Sequence, residues 1–190
     1  LGAINSTLPD GKNFVAEEDY KSHDFYKGND EFLTAPAESG CWKLGYKSVS
    51  LIPDDWQEHQ YYIGGYIMAE NWFTNKVEGI IDDMKARVIA VDDSSGRGVS
   101  VFATIDCIGM TNSDIKEIRR RLVEKSDGKI NFATINVAST HCHSGIDTEG
   151  IWTNLFGKLI PNIFKLKTGI GEIEQGTDKH YMDFLFDKVS

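Results

Sequence analysis

Val99-Ser100-Val101-Phe102-Ala103-Thr104-Ile105 and Ile130-Asn131-Phe132-Ala133-Thr134-Ile135-Asn136-Val137-Ala138-Ser139 are two apolar runs rich in β-branched residues, and what lies between them decides the fold. Thr111, Asn112 and Ser113 can each cap a helix. That helix carries Ile115, Ile118, Leu122 and Val123 on one side and Lys116, Glu117, Arg119, Arg120 and Arg121 elsewhere, and Ser126-Asp127-Gly128-Lys129 ends it. Val99–Ser139 therefore reads as a β-α-β unit with two parallel strands and a right-handed crossover.

Working upstream, the run Ala86–Val91 and the turn cluster Asp92-Asp93-Ser94-Ser95-Gly96-Arg97-Gly98 make a hairpin with Val99–Ile105, so the sheet mixes antiparallel and parallel pairs. Trp42, Leu44 and Tyr46 alternate with Lys43, Gly45 and Lys47 as in a half-buried strand. Tyr61–Met68 is also strand-like, with Gly64-Gly65 marking a bulge or a close backbone approach. Downstream, Ile151–Leu159 and Asp178–Val189 read as helices, the second with Tyr181, Leu185 and Val189 along one side and Phe184 close by. The fold class is α/β: a mixed, partly parallel sheet with flanking helices.

The chain has 190 residues, 41% of them hydrophobic and 26% charged, enough for one folded domain and a tail. Its net charge is −9, and a field of that sign repels phosphate backbones, which excludes nucleic acid as a partner. Residues 1–40 hold three lysines against eight carboxylates, 3 − 8 = −5, and show no sustained period, so they form an acidic leader or linker ahead of a domain at 41–190. Cys41, Cys107 and Cys142 are odd in number and irregular in spacing, against a disulfide framework or a zinc knuckle. No apolar run approaches the roughly 18–20 residues of a spanning helix.

In open α/β sheets, ligands gather outside the carboxyl ends of the parallel strands. One strand runs out into Asp106-Cys107-Ile108-Gly109-Met110 and the other into Thr140-His141-Cys142-His143-Ser144-Gly145. On an extended backbone His141 and His143 project to one face and can meet one ion, while Cys142 points the other way and reads as a small packed group. Neutral imidazole suits zinc, and this pair supplies at most two of the three protein ligands of a catalytic site. Asp106 either approaches the histidines as an orienting acceptor or caps the turn that follows it. Asp147 and Glu149 read as solvated loop carboxylates rather than further ligands. The Arg119–Arg121 run reads as a solvated helix face, and His23, His59 and His180 show no partner in the sequence.

From about Gly45 to Gly150 the chain resembles the amino-terminal domain of the neutral/alkaline non-lysosomal ceramidases. The resemblance is carried by Tyr62-Ile63-Gly64-Gly65-Tyr66, by Val101-Phe102-Ala103-Thr104-Ile105-Asp106 leading to Gly109-Met110, by the helix through Arg119 and Leu122, and above all by Asn136-Val137-Ala138-Ser139-Thr140-His141-Cys142-His143-Ser144-Gly145. That family carries Thr-His-Thr-His-Ser-Gly at this place. The resemblance implies that His141 is a zinc ligand, that His143 is its neighbour in the catalytic centre and helps polarise or hold the substrate, and that zinc activates water against the amide bond of a small-molecule or lipid-like N-acyl substrate; Asp106, from its place at the strand end, is the second catalytic candidate. Here Cys142 stands for the usual threonine and Ile146-Asp147-Thr148 for a Pro-Gly-Gly-like continuation. The family's other zinc ligands, a histidine, a glutamate and a tyrosine, lie well downstream, so the domain at 41–190 is expected to be incomplete at its carboxyl end, and its activity on its own is left open for want of those ligands. The alternative is a non-catalytic binding or scaffold domain that keeps the fold. An amino-terminal anchor ahead of Leu1, with the leader as spacer, would place the domain near a membrane, at or outside the cell surface; the oligomeric state is left open.

Overall fold

A computed structural model describes residues 41–66, 75–152, 155–171 and 176–190. Four strands, β1 (Lys43–Ser50), β2 (Lys85–Asp92), β3 (Val99–Ile105) and β4 (Ile130–Ser139), make one sheet in the order β1-β2-β3-β4. The first two pairings are antiparallel and β3 runs parallel to β4, so the mixed sheet expected from the sequence is the one that forms. Between β3 and β4 lies α1 (Asn112–Lys125). Its start is fixed by a capping box: the Thr111 hydroxyl accepts from the Asp114 backbone N–H, and the Asp114 carboxylate accepts from the Thr111 N–H.

The alternation of β3 decides which face is covered. Val101, Ala103 and Ile105 are buried, whereas Phe102 and Thr104 are exposed. Of that row Ala103 and Ile105 join Ala86, Cys107, Ile118 of α1, and Tyr181, Met182, Leu185 and Val189 of α3 (Lys179–Val189) in one core. Ion pairs lock the two helices together outside that core, with Arg121 binding Asp183 and Asp187, and Lys125 also reaching Asp187. The arginine run is thus a paired face: Arg120 and Arg121 both bind Glu117, Arg120 first and Arg121 second in effect, and they draw its carboxyl down to about 2. Among the described residues no helix is long and apolar enough to cross a membrane.

Three expectations need correction. The strand at Trp42–Lys47 forms, but it is not half-buried: Trp42, Leu44 and Tyr46 are exposed, and so are Lys43, Gly45 and Lys47 on the other side, because β1 is an edge strand whose first half is covered on neither face. The helix read at Ile151–Leu159 instead occupies Leu155–Thr168 (α2) and runs through Pro161. Residues 147–152 cannot join it because the Asp147 carboxylate takes the backbone N–H groups of Glu149, Gly150 and Trp152, and Gly150 sits at φ +76°. Within Tyr61–Met68 the described part is not a strand. Tyr62 and Ile63 make isolated bridges to Lys76 and Ile146, and residues 67 and 68 fall outside the described set, as does the leader.

Candidate functional site

Past the ends of β3 and β4 the parallel ladder is carried on by two further bonds, Thr140 N–H to Ile105 O at 2.9 Å and Cys142 N–H to Cys107 O at 3.0 Å. This sets the loop 140–145 against the loop 106–110. His141 then departs from the extended path the sequence suggests, at φ +61°. The turn brings the rings together by a route other than strand alternation: the His141 and His143 centroids are 4.7 Å apart with planes 81° apart. His141 Nδ1 lies 2.8 Å from the Ile108 carbonyl. A carbonyl only accepts, so Nδ1 carries the proton and Nε2 of the neutral ring keeps its lone pair free.

His143 is held by packing. Tyr66 meets its ring edge-on at 5.0 Å, and Gly65, at φ +117°, presses its backbone onto the residue; a β-carbon at Gly65 would fall 2.7 Å from His143 Cγ and 2.8 Å from His143 Cα. The Gly64-Gly65 pair therefore marks a close backbone approach, secured by Gly64 N–H to Gly145 O at 2.9 Å. The Nδ1 atom of His143 is buried and has no hydrogen-bond partner among the described residues.

His143 also lines a cleft of about 780 Å³, whereas His141 does not. Its lining includes apolar side chains, Trp56, Ile63, Val77, Met84 and Ile146, and polar ones, Arg87, Asp106 and Ser144. Among the described residues Asp106 accepts from neither an imidazole nor the turn that follows it. Its carboxylate accepts from the Lys85 N–H at 2.9 Å and from Arg87 at 3.0 and 3.1 Å, so its bonds run across to β2. Cys142 is half-buried and lines the cleft instead of packing away from it. The fully buried thiol is Cys107, which burial pushes up in pKa and which bonds to Ser139 Oγ at 3.3 Å.

Asp147, read as a solvated carboxylate, is 1% exposed. Its three backbone donors, each at 2.9 Å, make it the organising anion of the loop beneath the cleft. Glu149 is exposed and lays its carboxylate over Gly109. The sequence signal that was available for Asp147 is the acceptor followed at two, three and five residues by donors around Gly150, a short Asx-type nest.

His59 and His180 do have partners. His59 Nε2 lies 2.7 Å from Asp178, His180 Nε2 lies 2.9 Å from Asp55, and the rings are 5.4 Å apart. The hydroxyl of Tyr61 donates to Asp55 at 2.7 Å, and that bond, aided by His180 and opposed by burial, holds the Asp55 carboxyl below the ordinary range. For Asp178 burial acts upward, but bonds from His59 and the Tyr181 N–H outweigh it and the carboxyl is again lowered. A depressed carboxyl stabilises the fold above its unfolded pKa, 3.8, and that contribution disappears as pH falls below it. The urea midpoint should therefore drop between pH 5 and pH 3, and Asp178→Asn, which keeps the helix cap, should flatten the drop. Identical pH profiles for the two proteins would contradict this assignment.

No protein-family model matches the chain, and neither does any curated protein. Among solved structures, its fold matches a neutral ceramidase from Pseudomonas aeruginosa at a TM-score of 0.56 and 14% identity, over 80% of this chain and 21% of that one. A ceramidase complexed with C2 matches at 0.56 and 14%, over 80% and 20%. The class defined by sheet order and crossover is thus an α/β domain of ceramidase-like fold. The likeness is distant and partial: the chain spans about a fifth of the length of these ceramidases.

Proposed function

We propose that this chain is a ceramidase-like, zinc-dependent hydrolase domain that cleaves an amide (N-acyl) bond in a small-molecule or lipid-like substrate. The observation that carries the reading is the approach of two imidazoles to 4.7 Å at the carboxyl end of the parallel strands, with one ring fixed in the tautomer that frees its Nε2. Neutral imidazole is the right donor for zinc, and the unpartnered buried Nδ1 of His143 is a polar atom that a ligand would satisfy. Two donors are half of a four-coordinate shell, and among the described residues no group of three or more His, Cys, Asp or Glu could hold a metal. His141 and His143 would hold the ion, which when bound supplies Lewis acidity toward water and the amide carbonyl.

The chain's own groups do the rest. The Ile108 carbonyl sets the His141 tautomer, while Tyr66 and the Gly65 backbone fix His143 at the cleft wall. Trp56, Ile63, Val77 and Ile146 exclude water from an acyl group lying in the cleft. Asp106 works through Arg87, holding that guanidinium in the cleft lining.

The shortage of a third donor favours one second reading, a binding domain that keeps the fold and the cleft without turnover. Both are tested with the zinc-loaded chain and an N-acyl amide that releases a fluorescent amine. Hydrolysis is expected, reduced by about 100-fold in His143→Ala. Saturable binding of the amide with no release above the zinc-buffer blank would overturn the hydrolase and leave the binding domain.

A further inference from the structure

The helix-free face of the sheet carries a run of uncovered apolar side chains. Side chains alternate along a strand, so Trp42, Leu44 and Tyr46 of the β1 region share this face with Ile89 of β2 and Phe102 of β3. Their registers place Tyr46, Ile89 and Phe102 side by side, and Leu44 beside Val91. Trp42 is 74% exposed, Leu44 72%, Tyr46 66%, Phe102 52% and Ile89 41%. Monomers rarely leave a contiguous patch of more than a few hundred Å² uncovered.

Charge decides what kind of surface fits there. Ser48, Ser100, Thr104 and Asn136 on the face are neutral, and its charged positions, Lys85, Arg87 and Asp106, lie together at one end, with Lys85 paired to Asp83. Arg87 is turned to Asp106, and in the adjoining hairpin loop Arg97 is turned to Asp93. With its charges matched internally, the face offers no free cation to an acidic segment such as residues 1–40, at 3 − 8 = −5, nor to an anionic membrane. It is complementary to a surface that is equally apolar and uncharged, and its own copy is one. Side chains of this size each bury about 150–250 Å² when aromatic, so the five together would remove on the order of 500 Å² per copy, the greater part of the ~800 Å² each partner contributes to a standard interface.

We infer that the open face formed by Trp42, Leu44, Tyr46, Ile89 and Phe102 is a self-association surface, through which two copies of this chain stack sheet on sheet as a symmetric dimer. Such stacking sets two sheets about 10 Å apart with strands near 30° to each other, and a two-fold axis lets one patch serve both copies. The helices and the cleft residues are not needed for the contact.

The test is sedimentation equilibrium of the 190-residue chain from about 1 to 100 µM, with Tyr46→Lys and Phe102→Lys as variants at exposed positions and circular dichroism to show that they fold. The expected result is a concentration-dependent dimer whose dissociation constant rises at least about tenfold in each variant. Trp42 emission, isolated by difference against Trp42→Phe, should shift to the blue as the dimer forms. A monomer throughout that range would overturn the inference, including a monomer with blue-shifted Trp42, which would give the face to another part of the same chain. A dimer unchanged by both variants would overturn it as well.

Discussion

Asp147→Ala lowers the unfolding free energy by about 3–5 kcal/mol in urea denaturation. The carboxylate is the acceptor for three backbone N–H groups, those of Gly150 and Trp152 buried, and each donor stranded away from water costs about 1–3 kcal/mol. The loss is not local to the turn. The Asp147 N–H itself donates to the Tyr62 carbonyl, Ile146 bridges Ile63, and the Gly145 carbonyl holds Gly64, so the loop that Asp147 organises is also the floor under His143. Asp147→Asn should fall between the two proteins. Its amide oxygen can still accept from Glu149 and Gly150, but the NH2 group turned toward Trp152 N–H meets another donor. A cost under about 1 kcal/mol for Asp147→Ala would mean that the nest does not hold the loop.

Gly65→Ala is the second large effect, with an expected cost of about 2–5 kcal/mol. Two penalties coincide there. The backbone is at φ +117°, which side-chain-bearing residues adopt only under strain of about 1–3 kcal/mol. The new methyl would also sit 2.7–2.8 Å from three atoms of His143, one of them backbone, and overpacking of that kind costs about 1–3 kcal/mol more. Gly96→Ala separates the two penalties, because Gly96 has φ +85° with nothing within 4 Å and so pays for conformation alone. Equal destabilisation by the two substitutions would show that His143 is not pressed by the Gly65 backbone. The histidine C–H resonances of Gly65→Ala provide a readout that stability lacks, since displacement of one ring against His141 and Tyr66 changes their ring-current shifts.

The sheet was legible because its signals are local: β-branched runs, a turn cluster and a capped amphipathic helix each declare themselves within a dozen residues. The direction in which β1 faces was not. Alternation in Trp42–Lys47 says that one side of a strand differs from the other, but cover has to come from elements distant in sequence, and residues 43–48 are exposed on both sides. The misplaced start of α2 has the same origin, for helix propensity in Ile151–Leu159 competes with a carboxylate that claims the backbone donors first. At the site, the His-x-His spacing and its place after a parallel strand were readable, whereas the left-handed turn at His141 and the inward pull of Asp106 toward Arg87 depend on neighbours distant in sequence. The partners of His59 and His180 lie 119 and 125 residues away, beyond the reach of any spacing argument.

The central claim, that His141 and His143 act together as a zinc-binding pair, is tested most directly by equilibrium dialysis of the 190-residue chain against Zn²⁺ at neutral pH. One zinc per chain is expected, bound at least about tenfold more weakly by His141→Ala and by His143→Ala, and with unaltered affinity by His59→Ala. Zinc bound equally well by all four proteins, or lost only in His59→Ala, would contradict it.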